Sequence, residues 1–425
     1  MNQRYSSLDM FIVYLLLAIV SFIFVKKKEG TYFDPASIIV GTWCVFPAIN
    51  SLHPCSLYAL DWRTHFCILL SFFSFMFYYY GNNRKMSRAS IPTADFSVNY
   101  KILIALNAAV VILLIGKSIN AWNNIGLVGW AMQRHTGFED FGSSIDLVLF
   151  DLLAKPIIYA SSVIFAVLLA NGKKINIVFL ALLIINIAQD VVLFAARASI
   201  IKLILYMVFA FFFLTKRKYT KFQKLGFVCL VVVVFMVNGF ITQQRNIGIE
   251  SNTWETMVVY YIAPFNVLDY YIKNPSFSHI SLDNLNYGLG IFGCFTNIIA
   301  MGVYVLFGTK YYGTDNSITQ ITGESVPVSP TIEMNAACTA DYCFLMDFSY
   351  LGIIVGFGLM AYCIAKAKKL YFEKQNMFSA TLYVFMLYEI FRLSVFYDFV
   401  LPSYLFTIVF IWLFTKHTGK NVASN

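Results

Sequence analysis

Residues 8–25 read Leu8-Asp9-Met10-Phe11-Ile12-Val13-Tyr14-Leu15-Leu16-Leu17-Ala18-Ile19-Val20-Ser21-Phe22-Ile23-Phe24-Val25, and Lys26-Lys27-Lys28 follow at once. The run is close to the ~20 apolar residues that a helix needs to cross a bilayer. It is continuous rather than alternating, which selects a helix over a barrel strand. It follows no basic start, and no small-residue cleavage site comes after it, so it reads as a retained helix rather than a signal peptide.

The same pattern recurs to the end of the chain. The composition is 59% hydrophobic, 18% aromatic and 12% charged, whereas a soluble domain carries about 25% charged residues. Mean hydropathy is +0.69. So much apolar surface needs lipid as its solvent, and only helices or closed barrels satisfy their backbone there. The expected fold is all-α, a polytopic transmembrane helical bundle. The apolar cores fall at 8–25, 36–49, 62–80, 100–116, 147–170, 175–193, 198–214, 225–241, 342–365, 377–393 and 399–414. That makes about eleven spans, and about thirteen if 257–272 and 287–307 also cross. Pro264, Asp269 and a connection carrying only Lys273 favour surface or re-entrant helices for those two.

One long polar interruption, 243–341, divides the chain into an N-terminal bundle (1–242), a large loop (243–341) and C-terminal spans (342–425). The loop holds Glu250, Glu255, Asp269, Asp283, Asp315, Glu324, Glu333 and Asp341 against Arg245, Lys273 and Lys310. Alternate shorter loops are basic: Lys26-Lys27-Lys28, Arg84-Lys85 with Arg88, Lys173-Lys174, Lys216-Arg217-Lys218 with Lys221 and Lys224, then Lys366, Lys368, Lys369 and Lys374, and finally Lys416 and Lys420. The positive-inside rule places that set in the cytoplasm, the N-terminus and the acidic loop outside, and the C-terminus inside. The net charge of +9 is therefore an orientation signal. Nucleic acid is excluded as a partner, because no basic patch with stacking aromatics stands apart from the spans.

Several residues are candidates for chemistry. Arg197 opens a span in Ala196-Arg197-Ala198-Ser199, with Asp190 as a structural partner. Arg245 follows the next span in Gln244-Arg245-Asn246, and Arg392 lies three residues after Glu389. Arginines near the membrane core are costly, and they are functional or paired. Three on one face would clamp a diphosphate, since guanidinium offers bidentate donors and keeps its charge. Glu333, Asp341 and Asp347 are candidate bases for a sugar hydroxyl. An outer loop at 117–146 adds Trp122, Trp130 and His135, which interfacial anchoring explains better than sugar contact does. His279 lies in the acidic loop. The eight cysteines form no CxxC pair, and His53 with Cys55 completes no metal set, so no metal is expected. No GxSxG, P-loop or HExxH signature is present.

These elements together resemble the bacterial oligosaccharide repeat-unit polymerases, the Wzy-type O-antigen and capsule polymerases. The resemblance rests on Phe33-Asp34-Pro35, on Ala196-Arg197-Ala198-Ser199, on Gln244-Arg245 and on Tyr287-Gly288. Its most specific element is Asn335, Thr339 and Tyr342 followed by Asp347-Phe348 and Gly352. It departs from the family pattern at Cys338, where an aromatic often sits, and at Ser349-Tyr350, which replace a glycine. The resemblance implies a bundle similar to GT-C-type lipid-linked glycan transferases, in the bacterial inner membrane, acting at the periplasmic face. The substrates it implies are undecaprenyl-diphosphate-linked glycans, with a chain-length regulator and a flippase of the same pathway as partners and no cofactor. Arg197, Arg245, Glu333 and Asp347 would be catalytic; Arg392, Tyr287, Asn335, Asp341, Tyr342 and His279 would bind substrate. The alternative is a lipid-linked oligosaccharide flippase or other polytopic transporter, which predicts internal pseudo-repeats that this chain lacks.

Overall fold

The computed structural model describes residues 2–82, 96–136, 144–194, 198–214, 253–274, 285–308, 325–334 and 337–415. The expected span at 225–241 lies outside them. The described residues are mostly helical, with one two-stranded ribbon. Five helices are long and apolar enough to cross a membrane: Ser7–Glu29 within α1 (Asn2–Glu29), Tyr100–Leu127, Ile145–Ala170, Ile177–Phe194 and Ala340–Lys374. Each overlaps an expected span. The expected spans at 36–49, 62–80, 198–214, 377–393 and 399–414 are helical but shorter or more polar.

In chain order α2 is Pro35–Asn50, α3 Trp62–Asn82, α4 Tyr100–Thr136, α5 Ile145–Ala170, α6 Ile177–Phe194 and α7 Ala198–Leu214. The polar insert supplies α8 (Thr253–Ile262), α9 (Pro264–Lys273), α10 (Gly293–Phe307), and a ribbon of β1 (Val326–Pro327) and β2 (Glu333–Met334). The chain ends with α11 (Ala340–Lys374), α12 (Met377–Arg392) and α13 (Pro402–Phe414).

Local sequence explains several of these boundaries. Asp34 has extended backbone, and its carboxylate accepts the Ala36 N–H at 3.0 Å, with Pro35 at the first helical position. The Asp-Pro pair is thus a helix start signal in its strongest form. Pro47 and Pro156 sit inside helices, where each removes an N–H and crowds the carbonyl four residues back. In both cases a wide π-turn, Gly41–Val45 and Phe150–Ala154, ends two residues before the proline and relieves the crowding. Ile12, Leu16, Ile19, Val20 and Ile23 lie exposed along α1. A continuous apolar stripe of this kind is stable against lipid and not against water.

Chain contacts divide the protein into two units, and the insert does not stand apart from the helices. Unit 1 comprises Met1–Ser87, Ile249–Lys369 and Met386–Tyr404; unit 2 comprises Arg88–Gly248, Leu370–Phe385 and Leu405–Asn425. Inside unit 1, α9 docks on the loop between α2 and α3 through one polar stripe. Asn266 accepts from the Asn50 side-chain amide at 2.5 Å and donates to the Tyr58 carbonyl at 2.6 Å. Asp269 accepts from the Asp61 N–H at 2.6 Å and the Thr64 hydroxyl at 2.7 Å, and it pairs with Lys273 at 2.5 Å. These residues recur at three and four positions along a helix, so they share one face. The expected surface helix is therefore a buried one on this side: Asn266 and Asp269 are both buried, because their partners satisfy them.

At the lysine-rich end of α11, Lys368 meets Asp34 at 2.6 Å, Glu29 at 2.8 Å and the Tyr79 hydroxyl at 3.0 Å. This buried cluster ties α1, α2, α3 and α11 together. It accounts for Phe33-Asp34-Pro35 as a structural element.

Candidate functional site

The polar insert meets the membrane helices at a break in α11. Phe348 (φ −143°, ψ 27°) and Ser349 (φ 54°, ψ −142°) leave helical geometry. A Cβ placed on Gly352 would fall 1.9 Å from the Phe344 carbonyl oxygen, and one on Gly356 would fall 2.5 Å from the Phe344 ring. In a continuous helix, residues eight and twelve apart are separated by about 12 and 18 Å along the axis. Their contact means that the two halves of α11 lie side by side, as a helical hairpin with its tip at Phe348-Ser349.

A broken helix exposes backbone groups that need partners. Residues 286–291 supply them. The Asn286 N–H donates to the Met346 carbonyl at 2.9 Å, and the Tyr287 N–H donates to the Asp347 carbonyl at 3.1 Å. The Asp347 carboxylate accepts the Gly290 N–H at 2.8 Å and the Ile291 N–H at 2.6 Å. The turn needs positive φ at Tyr287 (50°) and Gly288 (94°). At Gly290 a Cβ would sit 3.0 Å from both the Asp347 carboxylate and the Cys343 carbonyl. The Tyr397 hydroxyl then donates to the Ile291 carbonyl at 2.8 Å, and the Asn297 amide to the Val400 carbonyl at 2.9 Å. Asp347 is fully buried, yet the turn it holds leaves the Tyr287 side chain 74% exposed.

The candidate residues fall into distinct environments. Asp347 spends its carboxylate on two backbone N–H groups, which makes it a positioning residue rather than a free base. Asp341, expected to bind substrate, is fully buried and accepts a hydrogen bond from the Ser71 hydroxyl of α3. Tyr342 is buried with its ring 5.0 Å from that of Tyr271. Glu333 is exposed on β2, bonded to the Ser325 hydroxyl at 2.7 Å. It is the one carboxylate of the three expected bases that faces outward. Arg392 donates its fork to Asp398 at 3.0 and 3.3 Å and a further N–H to the Tyr260 hydroxyl at 3.3 Å. Asp398, six residues on, is thus an ion-pair partner; the chain turns back after α12 and brings this later carboxylate to the guanidinium. Among the described residues, the anion that Arg392 grips is an internal one. Arg197, Arg245, Asn335 and His279 lie outside the described residues. Cys294, Cys338 and Cys343 are buried free thiols, in keeping with cysteines acting as small hydrophobes. No group of metal-ligating side chains occurs among the described residues.

Unit 2 holds a second polar region to which the sequence pointed only through Asp190. The Asn107 amide donates to Ser161 at 2.8 Å, and the Asn186 amide donates to Asn107 at 3.0 Å, joining α4, α5 and α6 through apolar surroundings. Nearer the far ends, Asp190 accepts from the Ser199 hydroxyl. Lys202 places its ammonium 3.7 Å from the Tyr159 ring centroid, and Lys155 pairs with Asp151 at 3.0 Å. Asp190, the expected partner of Arg197, thus has a described partner in Ser199. A signal for the lysines exists in the sequence: each is a lone cation within an apolar run, the same cost that singles out the arginines.

No family model, curated protein or solved structure matches this chain.

Proposed function

We propose that this chain joins undecaprenyl-diphosphate-linked oligosaccharide repeat units into O-antigen or capsular polysaccharide at the periplasmic face of a bacterial inner membrane. The observation that carries the reading is the meeting of Tyr287-Gly288 with Asp347-Phe348. These are separate elements of the polymerase resemblance, and nothing in their sequence spacing requires contact. In the fold, Asp347 holds the Tyr287-Gly288 turn through the Gly290 and Ile291 N–H groups, and Gly352 permits the hairpin that exposes it.

In this reading the hydroxyl at the non-reducing end of one lipid-linked unit attacks the anomeric carbon of another. The glycosidic bond forms as the anomeric carbon–phosphate oxygen bond breaks, and undecaprenyl diphosphate leaves. Arg197 and Arg245 stabilise the charge that develops on the diphosphate. Glu333, outward-facing on the ribbon, takes the hydroxyl proton. Tyr287 offers an exposed ring for sugar contact. Asp347 acts only through the turn it holds. The reaction calls for no nucleotide sugar, and the chain-length regulator and flippase of the pathway would act before and beside it.

A deletion strain distinguishes joining from transport. Without a polymerase, single repeat units still cross the membrane and reach the ligase, so the surface should carry lipid core capped with one repeat. Bare core with no single-repeat species would overturn the proposal in favour of a flippase.

A further inference from the structure

Unit 1 carries three lysine–tyrosine pairs, built from α1, the turn after it, α3 and α11. Lys26 stands over the Tyr32 ring, 4.7 Å from its centroid, and Lys28 stands over the Tyr80 ring of α3 at 5.5 Å. On α11, Lys366 stands over the Tyr362 ring at 5.1 Å. Helix rise sets the three pairs at one level. The Tyr14 hydroxyl meets the His65 Nδ1 at 3.0 Å, and the Phe66 and Tyr350 rings meet at 5.5 Å, which registers α1, α3 and α11 against one another. From those contacts, Lys26 and Lys28 lie about 18 and 21 Å along α1, Tyr80 about 21–23 Å along α3, and Tyr362 and Lys366 about 18 and 24 Å along α11. The Lys28–Tyr80 contact, and the approach of the Tyr78 ring to Gly358, show that the three helices run in the same direction.

That level is where the lipid-facing stripes stop. Ile23 and Phe24 on α1, Phe73 and Phe77 on α3, and Leu351 and Val355 on α11 are exposed before it. Tyrosine suits such a boundary, because its ring favours the apolar layer and its hydroxyl the headgroups. Lys26, Lys27, Lys28 and Lys366 are exposed. None of the four pairs with a carboxylate among the described residues. The carboxylates nearest to Lys28 in sequence, Glu29 and Asp34, are engaged by the buried Lys368. A tyrosine ring holds an ammonium group in place and leaves its charge available to an anion.

We infer that Lys26, Lys27, Lys28 and Lys366 form a binding surface for anionic phospholipid headgroups of the cytoplasmic leaflet, with Tyr32, Tyr80 and Tyr362 holding three of these cations at the level of the phosphates. The inference goes beyond the reaction proposed above and does not depend on it. A bilayer fits better than an acidic protein, because the cations stand on interfacial rings at the ends of lipid-facing stripes. The leaflet follows from the positive-inside rule, which places these lysines in the cytoplasm. The surface also fixes the depth of unit 1. With Lys366 at the inner headgroups, the Phe348-Ser349 tip lies about 26 Å away along α11, close to the far boundary of a hydrocarbon core of about 30 Å.

The test is electron spin resonance of the full-length protein in phosphatidylcholine vesicles that contain spin-labelled phosphatidylglycerol or, separately, spin-labelled phosphatidylcholine. Lipid held at the protein surface is motionally restricted, and the two restricted fractions give the preference. Phosphatidylglycerol should be preferred. Lys28→Gln and Lys366→Gln should each lower that preference about two- to fivefold, the range for one lysine at an anionic surface. Tyr362→Leu keeps every charge and should lower it about twofold, because Lys366 loses the ring that positions it. Diffuse attraction to basic loops predicts no change in that variant. The restricted fraction of phosphatidylcholine should be the same in every variant, which reports an intact fold. Equal restriction of both lipids by the unaltered protein, or an unchanged preference in the lysine variants or in Tyr362→Leu, would overturn the inference. Absence of restricted lipid of either kind would overturn the membrane reading along with it. No outcome depends on polymer formation.

Discussion

Replacing Gly352 with alanine should leave little folded protein to purify. The new Cβ would lie 1.9 Å from the Phe344 carbonyl oxygen and 2.8 Å from its carbonyl carbon. Both atoms are backbone, so no rotamer change relieves the overlap, and the two halves of the α11 hairpin must separate. Overpacking a core costs about 1–3 kcal/mol where side chains can adjust, and more where they cannot. Parting the hairpin would also strip the partners from Asn286, Tyr287, Gly290 and Ile291, each buried donor adding about 1–3 kcal/mol if it stays unpaired. Gly116→Ala is the control. It lies within α4, and no neighbouring atom comes within 4 Å of the place its new methyl group would take, so it should be neutral or stabilising by up to about 1 kcal/mol. Fluorescence-detected size exclusion after a temperature series reads both. A Gly352→Ala protein as monodisperse and heat-resistant as Gly116→Ala would mean that the hairpin does not exist in this form.

The second large effect is expected on transfer rather than on folding. Arg197→Ala and Arg245→Ala should each slow polymer formation by about 10- to 150-fold, equivalent to a charge-assisted phosphate contact of about 1.5–3 kcal/mol that tightens as the diphosphate leaves. Lysine at either position should restore part of the rate and not all, because an ammonium keeps the charge but loses the planar fork. Arg392 makes the informative contrast. Its fork already holds Asp398, so Arg392→Ala should act mainly through stability, by leaving a buried carboxylate without its cation. Near-normal polymer ladders from both the Arg197 and Arg245 variants, at matched protein levels, would remove the diphosphate assignment from these residues.

The helices and their lipid-facing character were legible from the sequence because both depend on local runs of apolar residues. The same holds for Asp34-Pro35, whose capping chemistry involves only neighbours. The hairpin was not legible. Residues 342–365 form a nearly unbroken apolar run, and a run of that kind predicts a straight span. The only local cue was Gly352 and Gly356, four residues apart, which mark close backbone approach, and their partner Phe344 belongs to the same run. The two units were hidden for a related reason: residues 1–87 and 249–369 are joined by contacts such as Asn50 with Asn266 and Ser71 with Asp341, which no local pattern announces. At the site, the sequence drew attention to Tyr287 and Asp347 separately but assigned Asp347 to proton transfer. Its two backbone donors are non-local, and they convert it to a positioning role. Arg392 illustrates the same limit on a shorter scale. Glu389 has the right helical spacing, and the turn after α12 also delivers Asp398 to the guanidinium.

Purified protein in proteoliposomes would show whether this chain joins lipid-linked glycans. The only substrate supplied should be the undecaprenyl-diphosphate-linked repeat unit, without nucleotide sugar. A ladder of lipid-linked products in whole repeat units is expected, with one undecaprenyl diphosphate released for each bond formed. Repeat units that cross the vesicle bilayer without elongation, and with no diphosphate released, would contradict it.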